Sequence, residues 1–241
     1  MLLKTRGIVL RSHKHRESSL ILDVFTEERG LRKYLINGVR ARNSRVSAGL
    51  LQLMSLIELV AYERRDRDIN RLKEVRPAHI YTRLPFEVYR ATIGQFMTEI
   101  AHKTISEREE NPALFGFLFD TFQFLDETEQ GFANLHLHYL LGLSTYLGFQ
   151  PAGAWSEESP LFDLREGTFI GGLPGHTYFL DEDRSHRLSL VLRCPRERLH
   201  ELPITAAERR VLLEDLISYY RLHVEGLREI MSYKILREVL G

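Results

Sequence analysis

The sequence predicts an α+β chain: a β-rich segment comes first and a mainly α-helical segment follows. Two changes near residue 80 support this reading. Before it, apolar residues fall in short β-branched runs broken by glycine and polar turns; after it, they recur at helical spacing. The charge changes at the same place. The first 80 residues of the 241 hold 17 Lys/Arg against 9 Asp/Glu, and the other 161 hold 16 against 24, so the formal net charge is zero. Opposite excesses imply two surfaces with different partners. The basic one suits a phosphate backbone, because lysine and arginine displace condensed counterions without reading base sequence.

The first expected strand, 6–12, contains Gly7-Ile8-Val9-Leu10. The second, 19–26, ends at Glu27-Glu28-Arg29-Gly30, where Gly30 is a natural hairpin residue. A third run, 31–37, stops at Gly38; a fourth covers 54–62 and a fifth 69–75. Five short strands of this kind fit an OB-type barrel, a fold that commonly binds oligonucleotides. Residues 39–53 are then the longer connection between the third and fourth strands.

Beyond residue 80, Phe86, Tyr89, Ile93, Phe96, Met97 and Ile100 predict a helix over 85–105. Asn111-Pro112 opens a second, aromatic-rich helix, with Asn111 as N-cap and Pro112 at the first helical position. A third covers about 131–147 and ends at Gly148 and Pro151. Thr205 and Glu208 form a capping box ahead of Val211, Leu212, Leu216 and Tyr219. Gly226 weakens the pattern before a last helix over 227–240. The stretch 150–203, rich in proline and punctuated by Gly171-Gly172 and Pro174-Gly175, is expected to be irregular, with one or two strands or a short helix. The domain division follows: an OB-fold domain at 1–80 and a helical domain at 81–241 that carries the irregular insertion.

An apolar content of 44% and a charged content of 27% suit a folded globular chain. The lone Cys194 excludes an internal disulfide and a four-cysteine zinc site. The opening residues Met1 to Arg6 lack an apolar core with a cleavage site, and no stretch nears the roughly 18 apolar residues of a membrane span. A cytoplasmic protein is expected.

The sharpest cluster is Arg40, Arg42 and Arg45, three arginines in six residues without an acid. Their forked guanidinium donors suit phosphates; the alternative is a solvated loop. Arg32, Lys33 and Tyr34 precede it. Strand alternation puts Arg32 and Tyr34 on one face and Lys33 on the other. An arginine beside an aromatic can hold a backbone and stack a base, although a strand with one solvent face has the same pattern. Lys14 and Arg16, in the first hairpin connection, extend the basic surface. Arg64, Arg65, Arg67 and Arg71 alternate with Glu63, Asp66 and Asp68, which reads as a solvated loop.

Catalytic signals are weak. His136 and His138 are two apart on a helix and point to different faces. Asp181, Glu182 and Asp183 suit either a metal-binding nuclease cluster or a hydrophilic loop, the latter favoured because no further acids are patterned around them. No phosphate-cradling glycine loop ending in Lys-Ser/Thr and no Gly-x-Ser-x-Gly elbow is present. Cys194, between Arg193 and Arg196, is a candidate for a lowered thiol pKa.

Thr5-Arg6-Gly7-Ile8-Val9-Leu10, Glu17-Ser18, Thr26 to Gly30, Gly38-Val39-Arg40 with the basic residues to Arg45, Leu147 to Pro151, Phe162 to Gly167 and Ser232 together resemble the RecO family of bacterial recombination mediators, in order along the whole chain. The resemblance implies an OB fold joined to a helical domain, and binding and annealing of single- and double-stranded DNA. It also implies help in loading the recombinase onto DNA coated with single-strand-binding protein, with RecR as partner. Such a protein is not an enzyme, needs no cofactor and acts in the cytoplasm at the nucleoid. Two departures stand out. Many relatives carry a four-cysteine zinc finger where this chain has Ala152 to Thr177, so no metal is expected here. The family's loop often has a lysine where this chain has Asn37. The rival readings are a protein adaptor that meets an acidic partner through its basic barrel, and a metal-dependent nuclease.

Overall fold

The computed structural model describes residues 2–15, 17–39, 48–63, 67–106 and 108–239. The chain divides into two compact units, one of residues 1–87 and 98–127, the other of 88–97 and 128–241.

The first unit is built on five strands: β1 (Leu2–Lys14), β2 (Leu20–Thr26), β3 (Gly30–Ile36), β4 (Leu56–Tyr62) and β5 (Ile69–Pro77). They close a barrel in the order β1-β2-β3-β5-β4, the five-stranded OB-like architecture expected. All neighbours are antiparallel except β3 and β5, which run parallel from Lys33↔Ile69 to Leu35↔Arg71. β1 serves two partners. Its first half pairs with β4 and its second with β2, and the register shifts between Val9 and Arg11. Such a bulge bends a strand enough to close a small barrel. Gly7 lies where the two pairings overlap; a Cβ there would stand 2.6 Å from Val24 Cγ1, so the close approach requires glycine. Gly30 ends the β2–β3 turn at φ 62°, in the left-handed region that favours glycine.

Alternation fills the barrel from every strand: Val9, Leu22, Val24, Tyr34, Ile36, Ile57, Leu59 and Leu72 are all buried. β2 is buried along its full length, because helices cover its outer side. Phe115 and Phe119 of α2 (Pro112–Glu127) lie beneath the Arg6 guanidinium, 5.4 and 4.9 Å from it, with Phe115 6.3 Å from Phe25. Arg6 also pairs with Glu27 at 2.6 Å and holds that carboxyl below its usual range. The N-cap is as read: Asn111 Oδ1 accepts from the Leu114 N–H at 3.0 Å.

α1 (Val88–Thr104) gives residues 88–97 to the second unit and 98–104 to the first. The second unit adds α3 (Leu135–Tyr146), α4 (Glu182–Arg193), α5 (Ala206–His223), α6 (Met231–Val239), and a small sheet of β6 (Leu161–Asp163), β7 (Thr168–Ile170) and β8 (Phe179–Leu180) in the order β7-β6-β8. Tyr139 donates to Met97 O at 2.9 Å and Tyr220 to Leu140 O at 2.6 Å, so the buried phenols are satisfied by backbone.

Several elements differ from the sequence reading. The stretch 150–203 is more regular than its prolines and glycines suggest, since it holds the three-stranded sheet and all of α4. Its strands are only two or three residues long and leave too little periodicity to read. Phe86 and Tyr89, the first residues of the helical apolar pattern, are 77% and 54% exposed. The helix begins only at Val88, and its buried face starts farther along. Val211 is likewise exposed, and the last helix starts at Met231 rather than 227. Among the described residues no helix is long and apolar enough to cross a membrane.

Candidate nucleic-acid interface

A cleft of about 1210 Å³ opens on the first unit. The β2–β3 turn brings Arg29 to it and β3 brings Leu31, Arg32 and Lys33. The β4–β5 connection supplies Glu63, Arg67 and Asp68. The end of α1 and the turn after it add His102, Lys103 and Arg108. Six of these side chains are Lys or Arg and two are acids. Glu63 is shared by Arg29, at 3.4 Å, and Arg32, at 3.8 Å. Arg108 meets Asp68 at 3.3 Å, and Lys103 meets Glu99 at 2.6 Å. Neither Lys33 nor Arg67 has an ion-pair partner among the described residues. One carboxylate between two guanidiniums holds them in place while leaving the site positive. A polyanion entering the cleft meets this excess in a partly dehydrated setting, where charge is screened less than on a flat surface.

His102 stands behind the cationic rim. Its Nε2 lies 2.9 Å from Oδ2 of Asp23, a buried β2 residue that pairs in register with Lys33. A second hollow, of about 570 Å³, continues the groove. Leu35, Asn37, Tyr62 and Arg71 line it, and it shares Glu63, Arg67, Ile69 and Asn70 with the cleft.

The structure brings together Arg32 and Lys33 of the residues singled out from the sequence. Lys14 is exposed at the end of β1 and does not line the cleft. Arg16, Arg40, Arg42 and Arg45 lie outside the described residues. Tyr34 requires a correction. Alternation places it on a different face from Lys33, as expected, but that face is the barrel interior. The ring is fully buried and offers no surface to a base, and burial pushes its hydroxyl pKa far above the usual value.

Sequence reading missed Arg29, His102, Lys103 and Arg108. Lys103 and Arg108 sit in the acidic part of the chain and reach the cleft only through the fold, so no local pattern marks them. Arg67 is visible in the sequence but sits among alternating charges.

The weak catalytic candidates have structural roles. Asp181 caps α4, accepting from the Arg184 N–H at 2.9 Å. Among the described residues no three His, Cys, Asp or Glu side chains are grouped to hold a metal ion. His136 is fully buried, and burial lowers its pKa to about 3, so it stays neutral in the core. Cys194 departs from expectation: burial, with Glu201 adding to it, pushes the thiol pKa up despite Arg198 nearby.

Known proteins match this sequence along its length. The family model described as "Recombination protein O N terminal" matches residues 1–81, and "Recombination protein O C terminal" matches 86–229. The "DNA repair protein RecO" of Phocaeicola vulgatus is 32% identical over 241 residues, 100% of each chain. That of Bacteroides fragilis is 31% identical over 240 residues, 99% of each, and that of Christiangramia forsetii 32% over 242 residues, 100% of each. The names of these relatives specify DNA repair.

Proposed function

The chain belongs to the RecO family of DNA repair and recombination proteins, and on that basis we propose that the basic cleft of its barrel is a DNA-binding surface that promotes annealing of complementary strands. The cleft carries the reading: six cationic side chains face two acids beside β3 and the β4–β5 connection, the part of an OB fold that takes oligonucleotides. Two DNA strands repel each other along their backbones. A surface that neutralises phosphates lowers that repulsion without nucleotide hydrolysis, in keeping with a sequence that has no ATP-binding glycine loop. Arg40, Arg42 and Arg45, with Lys14 and Arg16, add cations of the same kind to the barrel segment. In this role the protein assists recombinase loading on DNA coated by single-strand-binding protein, with RecR as partner, in the cytoplasm at the nucleoid.

Exchanging Lys33 and Arg67 for glutamate tests this. DNA affinity is expected to fall for all base sequences and to depend less on salt, and annealing of both naked and protein-coated strands is expected to slow in parallel. If the parent protein fails to bind oligonucleotides at low salt, the adaptor reading replaces this one. Cleavage of DNA in the presence of magnesium would support the nuclease instead.

A further inference from the structure

We propose that Tyr62 stacks on a base of single-stranded DNA, at the end of the groove whose cations hold the backbone, and so makes the barrel favour single strands over duplex. This rests on the cleft being the DNA site. Tyr62 is 50% exposed and is the barrel's one exposed aromatic among the described residues. Strand register places it in a lateral row on the outer face, with Leu2 on one side and Arg71, then Leu35, on the other. The next row is Lys33 beside Ile69. Tyr62 and Leu35 therefore flank Arg71 in one row and the exposed Ile69 stands beside Lys33 in the next, a strip in which apolar groups alternate with cations, with Asn37 at its margin.

The strip and the cleft are continuous, because both are lined by Glu63, Arg67, Ile69 and Asn70. An exposed ring with a cation beside it in register is a surface for a planar, electron-rich group whose charged chain runs alongside. A single strand supplies both parts, since its unpaired bases expose π faces next to phosphates. A duplex keeps its bases stacked inside and offers the groove only phosphate and sugar. Cations in the cleft therefore act on both forms of DNA, and Tyr62 acts on only one. The phenol of Tyr34, in the next strand but one, is enclosed and has no such role.

The test compares a fluorescent oligothymidylate with a duplex of equal length, using the full chain and its Tyr62→Ala, Tyr62→Phe and Tyr62→Trp variants. Tyr62→Ala is expected to weaken single-strand binding by about fivefold or more, the lower end of the stacking range, and to leave duplex binding unchanged. Tyr62→Phe keeps the ring and is expected to bind like the parent. In Tyr62→Trp the new indole emission is expected to be quenched by the single strand and not by the duplex. Equal losses for both DNA forms, an unchanged single-strand affinity in Tyr62→Ala, or a Trp signal indifferent to the single strand would each overturn the proposal. A parent protein that binds neither form would remove the DNA reading of the cleft itself, a failure distinct from any of these.

Discussion

Asp126 and Asp215 are both buried carboxylates, and their surroundings drive them in opposite directions. Burial works to raise the Asp126 pKa, but the N–H groups of Leu84, Arg83 and Thr82, at 2.7 to 3.1 Å, outweigh it and hold the carboxyl below its usual range. These bonds pin the segment that leaves the barrel. Asp126→Ala strands three buried or half-buried amides and is expected to cost about 3 kcal/mol or more in urea unfolding. The contribution of Asp126 is present above its unfolded pKa of about 4 and is lost as pH falls through the lower folded value. Asp215 is the reverse case. Burial raises it to about 6 against the attraction of Arg184, 3.0 Å away. Its protonated form favours the fold, so the stabilisation is complete below pH about 4 and disappears as pH rises through about 6. Asp215→Asn cannot titrate. Its melting temperature, measured from pH 4 to 7, is expected to decline less over that interval than the parent's; parallel curves would contradict the assignment. Neither role was legible in the sequence, where each aspartate reads as the polar side of a helix. Tyr34 shows the same limit. Period two identifies which residues share a face, but only the closed barrel decides which face is inside.

Among the elements, legibility follows the range of the interactions that stabilise them. The capping box of α5 is local: Thr205 and Glu208 exchange their bonds within four residues, and the sequence pattern identifies it correctly. The barrel strands were legible for a similar reason, since each is a short apolar run closed by a glycine or polar turn. The small sheet at 161–180 was not, because Asp163 organises it through partners that no repeat announces. Its Oδ1 accepts the N–H groups of Arg165 and Glu166 at 2.8 and 3.1 Å, and its Oδ2 lies 3.2 Å from His176 Nε2. Phe149, Phe162 and Tyr219 pack beside it, with ring centroids 5.6 and 5.9 Å apart. These contacts tie together a stretch that has no cysteines to ligate zinc. Asp163→Ala is expected to lower the melting temperature by several degrees, because a turn loses the acceptor for two amides. A metal chelator is expected to leave the parent's melting temperature unchanged. A drop on chelation that zinc reverses would show that the sheet depends on a metal after all.

At the scale of the molecule, the charge asymmetry along the sequence divides the chain near residue 80, whereas the basic cleft of the first unit also draws cations from beyond that point. Lys103 and Arg108 belong to the acidic stretch in sequence and to the basic cleft in space. The salt dependence of binding measures how many such cations act on one strand, whatever their sequence position. For single-stranded DNA the slope of log affinity against log salt is about 0.7 per neutralised phosphate. Replacing Lys33 and Arg67 with alanine is therefore expected to reduce the slope by about 1.4, and replacing Arg40, Arg42 and Arg45 by about 2, if every cation meets a phosphate. The combined variant is expected to lose the sum, since groups contacting separate phosphates act independently. A full effect from the first pair and none from the arginine triad would confine the site to the cleft. A full effect from the triad alone would move the DNA away from Lys33 and Arg67, and with it the groove on which a stacked base would depend.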